Sequence, residues 1–226
     1  MKRIPAVVCA FAVILCLAVV PAAASLIEVQ LTGLDFVYQG NQIHDAGGVA
    51  GGNGDPAQAD PLTTAVFLLD GIEVGRLTGN VSADFLVSGV PNLPKAGGIV
   101  SATGTGFGFD LITSSPAPAS ILRLDIQGVQ VSYFGNGILM AVGGTAENVV
   151  SQNLPFGLEM DPLDTISLIF SSSNLTNIVT NGASVTSLKA SGTGSVTGVS
   201  APEPCVLALL GVGLGGMLAR RRKNRP

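Results

Sequence analysis

The chain has 226 residues, one histidine, three cysteines, no tryptophan and a formal net charge of −4. A lone imidazole excludes histidine-paired nucleophilic triads and most zinc sites, which need partners for it. The absence of tryptophan, with only Tyr38 and Tyr133 as polar-tipped aromatics, works against an enzyme that stacks sugar rings.

Met1-Lys2-Arg3 opens the chain with positive charge, and Ile4 to Val20 is mostly apolar. Pro21-Ala22-Ala23-Ala24 then supplies the small residues of an A-x-A site. Residues 1–24 therefore read as a secretory signal peptide, cut between Ala24 and Ser25, with the Sec export machinery as its partner. A lipoprotein signal needs a small residue directly before its cysteine; Cys9 follows Val8 and Cys16 follows Leu15. Between this segment and the last 25 residues lie four bases, Arg76, Lys95, Arg123 and Lys189, against fourteen acids, a balance of −10. Nucleic acid is excluded as a partner, because neutralising phosphates takes clustered lysine and arginine. All three cysteines, Cys9, Cys16 and Cys205, fall in the terminal segments, so the part between has no disulfide to rely on.

That part, residues 25–198, reads as strands. Ile27, Val29 and Leu31 alternate with polar residues, and after Gly33 the parity flips to Leu34, Phe36 and Tyr38. A glycine at a parity flip marks a β-bulge. The device recurs at Gly128, between Leu122-x-Leu124-x-Ile126 and Val129-x-Val131-x-Tyr133. Residues 39–61 form a loop rich in glycine, aspartate and asparagine. Asp70-Gly71, between Val66–Leu69 and Ile72–Val74, is the strongest hairpin signal. Val81 to Val87 alternates as a strand, Ile99 to Thr113 follows as another, and Gly135-Asn136-Gly137 turns a second hairpin. Ile166, Leu168 and Phe170 make one more strand, and the Ser/Thr-rich stretch 185–196 another. The only helical candidate, Ala146 to Leu154, is short and polar. Evenly spaced strands with Gly and Pro turns predict an all-β domain of sandwich or jelly-roll type. From Gly192 to Pro204 the small polar residues read as a flexible tether.

Few residues offer chemistry. His44 lies in the long loop and reads as solvated. Gly104-Thr105-Gly106-Phe107-Gly108 lacks the spacing of a nucleotide loop and has no following helix. Glu159 and Asp161, if extended, share a face at about 6.6 Å, the one carboxylate pair available to a polysaccharide hydrolase. Asp45, Asn53, Asp55 and Asp60 share a Gly-rich loop and are the candidate ligands for calcium, although the order of a calcium loop is absent. The sequons at Asn80 and Asn174 have meaning only in a glycosylating cell.

The C-terminal segment, residues 199–226, has three parts. Pro202-Glu203-Pro204 is a stiff tripeptide, because proline fixes its own φ and biases its predecessor away from helix. Residues 205–219 are uncharged and apolar, and as a helix would span about 22 Å, short of a hydrocarbon core of about 30 Å. The basic tail 220–226, with Arg220, Arg221, Arg222 and Lys223, stays inside by the positive-inside bias. This order of motif, short transmembrane helix and basic stop resembles the PEP-CTERM sorting signal handled by exosortases. Cys205 departs from it, since small or hydroxyl residues are more usual there. No Leu-Pro-x-Thr-Gly precedes the apolar run, as a sortase signal would require, and a GPI signal would end in its hydrophobic tail.

The resemblance implies an exported protein, anchored first in the inner membrane with its domain in the periplasm. A cut near Glu203 by an exosortase then passes it to the cell surface or medium, in association with exopolysaccharide. With no catalytic set in view, the expected role is a non-enzymatic structural or adhesive one in the envelope or extracellular matrix. The alternatives are a carbohydrate- or calcium-binding module and, further off, a polysaccharide hydrolase.

Overall fold

A computed structural model describes residues 24–45, 63–79, 81–102, 108–113, 119–134 and 139–200. Both terminal signals from 1–23 and 201–226 lie outside the described residues, as do Asn53, Asp55, Asp60 and residues 103–107. Ser25–Ala201 forms one compact unit. Its strands are β1 (Leu26–Gln39), β2 (Gln42–Asp45), β3 (Thr64–Leu69), β4 (Ile72–Thr78), β5 (Val81–Ser88) and β6 (Leu93–Pro94). They continue with β7 (Gly98–Ser101), β8 (Gly108–Thr113), β9 (Ala119–Phe134), β10 (Leu139–Gln152), β11 (Ser167–Asn181) and β12 (Ser184–Val199). The one helical element among the described residues is a 3-10 turn, Pro155–Gly157.

The expected bulges organise these strands. In β1 the inward residues are Ile27, Val29 and Leu31 before Gly33, then Leu34, Phe36 and Tyr38 after it, none more than 2% exposed. Gly33 has φ 77° and is the extra residue, since Thr32 faces Thr193 while Leu34 faces Gly192. The bulge also changes partners along one edge: β3 pairs with Ile27–Thr32, and β2 with Phe36–Gln39. Gly128, at φ 60°, does the same for β9, whose edge passes from β8 to β7. The Asp70-Gly71 hairpin forms with φ 51° and 79°, as a primed turn requires. A second such turn, Gly40-Asn41, joins β1 to β2 inside what the sequence presents as loop.

All pairings are antiparallel, and the sheet closes. The order β1–β2–β5–β8–β9–β10–β11–β12 returns to β1, because β12 pairs along β1 from Leu26↔Val199 to Gln39↔Ser187. The all-β class is as expected. The described strands join into one closed, barrel-like sheet.

Phenylalanines fill its middle. Phe85 of β5 and Phe170 of β11, from opposite walls of the ring, stack at 5.0 Å and 11°. Phe36 meets Phe85 edge-on at 5.5 Å, and Phe109 meets Phe170 at 5.9 Å. Each buried ring contributes about 1.5–3 kcal/mol by leaving water, and each ring pair about 0.5–1.5 kcal/mol more. Space for Phe170 comes from β12, where a Cβ on the inward Gly194 would land on the Phe170 ring and 3.0 Å from Leu34 Cδ1. The free edge at β4 carries the Glu73–Arg76 ion pair and a register shift, both of which discourage edge-to-edge pairing.

Several expectations fail, for a common reason. Gly192–Val199 is not a tether but the second half of β12, paired with β1 throughout and with β11 as far as Thr197. Ala146 to Gln152, the short helical candidate, is strand, paired with β9 from Ala146↔Ile126 to Gln152↔Leu122 across two register shifts. Ile99 and Thr113 belong to two strands, β7 and β8, that share the edge of β9. In each case pairing with distant segments overrides weak local pattern.

Gly194→Ala should destabilise the protein by about 1–3 kcal/mol through overpacking. Gly143→Ala, whose added carbon would lie 3.9 Å from the nearest atom, Leu168 O, should change stability by less than about 0.5 kcal/mol. Equal effects in thermal melts would mean that Phe170 does not depend on the glycine.

Candidate functional site

The pleat of β5 turns Val81, Ala83, Phe85 and Val87 into the core, which places Ser82 and Asp84 on the outer face. On β8, Phe109 and Leu111 enter the core while Asp110 and Ile112 face out. Ile112 is 1% exposed yet takes no part in the core cluster, as expected for that face. In register, Asp84 lies opposite Asp110, and Asp110 opposite Arg123 of β9. One step along, Ser82 lies opposite Ile112, and Ile112 opposite Ser120.

Asp84 and Asp110 are thus facing carboxylates on neighbouring strands, with Cβ atoms about 4.5–5.5 Å apart, and each is 3% exposed. Ser120 Oγ donates to Asp110 Oδ1 at 2.5 Å. Burial pushes the Asp110 carboxyl above its ordinary range, and the Ser120 hydrogen bond and the Arg123 charge oppose this less strongly. Ser82, 1% exposed, has no hydrogen-bond partner for its Oγ among the described residues. Ser82, Asp84 and Asp110 thus gather three of the buried polar residues on the paired outer faces of β5 and β8.

The residues singled out from sequence lie elsewhere. Ser25 is described and tied down: its N–H donates to Ser200 Oγ at 2.9 Å, and its carbonyl accepts from Ser200 N–H at 2.7 Å. Ala24 precedes it and is exposed. Asp45 ends β2, 7% exposed and opposite Phe36, and no other member of the expected calcium loop is described. Among the described residues no three His, Cys, Asp or Glu side chains come together as metal ligands. Pro202, Glu203, Pro204, Arg220, Arg221, Arg222 and Lys223 fall outside the described residues, as does the apolar run 205–219. No helix among the described residues is long and apolar enough to cross a membrane.

His44 corrects the picture of a solvated loop histidine. It sits on β2, 8% exposed, with Nδ1 2.8 Å from Asp45 O. That carbonyl can only accept, so Nδ1 carries the proton. Tyr38 and Tyr133 are core residues, 0% and 2% exposed, rather than surface platforms, and burial raises both phenol pKa values. Glu159 and Asp161 flank the buried Met160, which bridges to Ser200. Asp161 Oδ1 accepts from Leu163 N–H at 2.9 Å, and Asp164 Oδ1 from Thr165 N–H at 2.7 Å, so both cap a turn.

A reading by loops and spacing passes over Asp84 and Asp110. The signal available was aspartate inside two apolar strand runs, Val81–Val87 and Gly108–Ile112, where that residue is normally depleted.

The raised Asp110 pKa has a definite sign. Its folded value exceeds that of the unfolded chain, so its contribution is fully present below pH about 4. The contribution is lost as pH rises through the folded value. Relative to wild type, Asp110→Asn should therefore gain stability steadily from acid to neutral pH, with Ser120 still donating to the amide oxygen. A difference between the two melting curves that does not vary with pH would show that burial leaves the carboxyl unperturbed.

No protein-family model matches the chain, and no curated protein or solved structure is similar to it.

Proposed function

We propose that the chain is an exported, non-enzymatic protein of the envelope or extracellular matrix, released from its membrane anchor by an exosortase that acts at Pro202-Glu203-Pro204. Its cargo is the β-rich unit, a flattened barrel with sandwich-like packing between the walls of β5 and β11. The observation that carries this reading is the seam between the first and last strands. It uses Leu26–Gln39 and Ser187–Val199, so a cut before Ser25 and a cut after Ala201 remove no hydrogen bond of the ladder. Both expected processing points border this one strand pair.

The outward residues support a watery destination. Glu28, Gln30, Thr32 and Asp35 on β1, with Lys189, Ser191, Thr193 and Thr197 on β12, alternate with inward apolar or small residues. A lipid-spanning barrel needs the reverse pattern. Such a hydroxyl-rich face is compatible with an exopolysaccharide matrix. Only Ala201 separates Ser200, bonded to Ser25, from Pro202, so the proposed cut falls at the rim of the folded unit.

Mass spectrometry of wild-type protein from the cell surface or medium should give an N-terminus at Ser25 and a C-terminus between residues 200 and 205. Glu203→Ala, or loss of the exosortase, should hold a longer form in the inner membrane. Persistence of Arg220 to Arg225 on most of the wild-type protein would mean that the segment is a permanent anchor.

A further inference from the structure

Large apolar side chains exposed one by one are ordinary, and they carry meaning where they gather. Four of them lie around one end of the barrel, the end at which β12 stops. Leu26 opens β1 opposite Val199 and exchanges hydrogen bonds with Asp70 of the β3–β4 turn, after which Ile72 begins β4. Leu163 lies in a turn tied to the end of β12. Met160 bridges to Ser200, Asp161 N–H donates to Val199 O, and Leu163 N–H donates to Asp161 Oδ1. Phe156 completes the group, with its ring against Gly75 of β4 and edge-on to Phe67. Leu163 is 94% exposed, Ile72 70%, Phe156 51% and Leu26 45%.

The sequence sets how far this rim can stand from a membrane. Ala201-Pro202-Glu203-Pro204 is all that separates Ser200 from the apolar run that starts at Cys205. Fully extended, that link spans at most about 18 Å. A bilayer that holds the run therefore lies within that distance of the rim. We propose that Leu26, Ile72, Phe156 and Leu163 form a lipid-contact surface, which seats the barrel end-on against a bilayer of zwitterionic headgroups. The proposal rests on the membrane anchor of the proposed function. Side chains of this kind enter the boundary between headgroups and acyl chains with a gain that follows the apolar area buried. The acids beside them choose the surface. Asp70, Asp161 and Asp164 stand at the same rim, and an anionic leaflet repels them. Seated in this way, the rim keeps Pro202-Glu203-Pro204 near the headgroup layer, within reach of a membrane-embedded protease.

The chain has no tryptophan, so one introduced at the rim gives an unmixed signal. Full-length Leu163→Trp is reconstituted into vesicles of phosphatidylcholine and phosphatidylethanolamine with brominated acyl chains. Val179→Trp is the control, because Val179 is 53% exposed and pairs with Ser187, which faces Gln39 at the other end of β1. That position lies about 40 Å along the strand from the rim. The bromolipid should quench the probe at 163 several-fold more than the probe at 179, and aqueous iodide should do the reverse. Anionic lipid in the vesicles should weaken the quenching at 163. Adding Ile72→Asp should remove most of it, because the rim acts as one surface. Undiminished quenching in that double variant overturns the rim, since the short link alone then brings position 163 to lipid. Equal bromolipid quenching of the two probes, in protein that floats with the vesicles, overturns the rim and leaves the anchor standing. A probe at 163 shielded from iodide yet untouched by bromolipid also overturns it, because a second copy then covers the rim. Protein that does not float with the vesicles overturns anchor and rim together.

Discussion

Two phenylalanines from opposite walls meet at the centre of this protein. Phe85 and Phe170 can stack at 5.0 Å only if the walls come close, and they can come close only where one strand has no side chain pointing in. β12 supplies that strand: Gly194 and Gly198 face inward, the first beneath Phe170 and the second beside Met160 and Ile166. Gly194 is the cross-strand partner of Phe170, so the ring lies over backbone that carries no side chain. The glycines weaken β12 as an isolated strand. What holds it is pairing on both edges, with β1 and with β11.

Closure follows from the same strand. A sheet with an open edge presents unpaired amides and carbonyls to any passing chain, and joining first strand to last removes that hazard. It also brings the two ends of the folded unit together, where Ser25 and Ser200 exchange hydrogen bonds. The first and last strands of the described unit are thus one antiparallel pair. Closure also has a kinetic side: β1 must wait for β12, the most distant partner in sequence, and such non-local pairing is slow.

Polar groups are distributed unevenly over the outside. Outward positions of β1 and β12 such as Gln30, Thr32, Ser191 and Thr193 hold hydroxyls and amides that water can satisfy. The outer face of β5 and β8 differs, because Ser82, Asp84, Asp110 and Ile112 are all buried there. Asp84 and Asp110 face one another there, and Asp110 is held by Ser120 Oγ beside the Arg123 charge. The exposed Glu73–Arg76 pair, by contrast, lies in water and reads as protection of the β4 edge.

Local signals in the sequence were sufficient for the strands, the hairpins at Asp70-Gly71 and between Phe134 and Leu139, and the bulges at Gly33 and Gly128. Each is written within a few residues, as a period of two or as a residue that tolerates positive φ. The barrel was not legible, because closure joins Leu26 to Val199 and no local pattern records such a partner. Nor was the carboxylate pair: Asp84 and Asp110 are separated by 25 residues and become neighbours only when β8 pairs with β5. Gly192–Val199 shows the limit most clearly. Alternating glycine with serine and threonine looks like a linker, since neither face carries an apolar period. The tertiary structure makes it a wall strand, because the space that Gly194 leaves empty is occupied by Phe170 and Leu34, and that beside Gly198 by Met160 and Ile166.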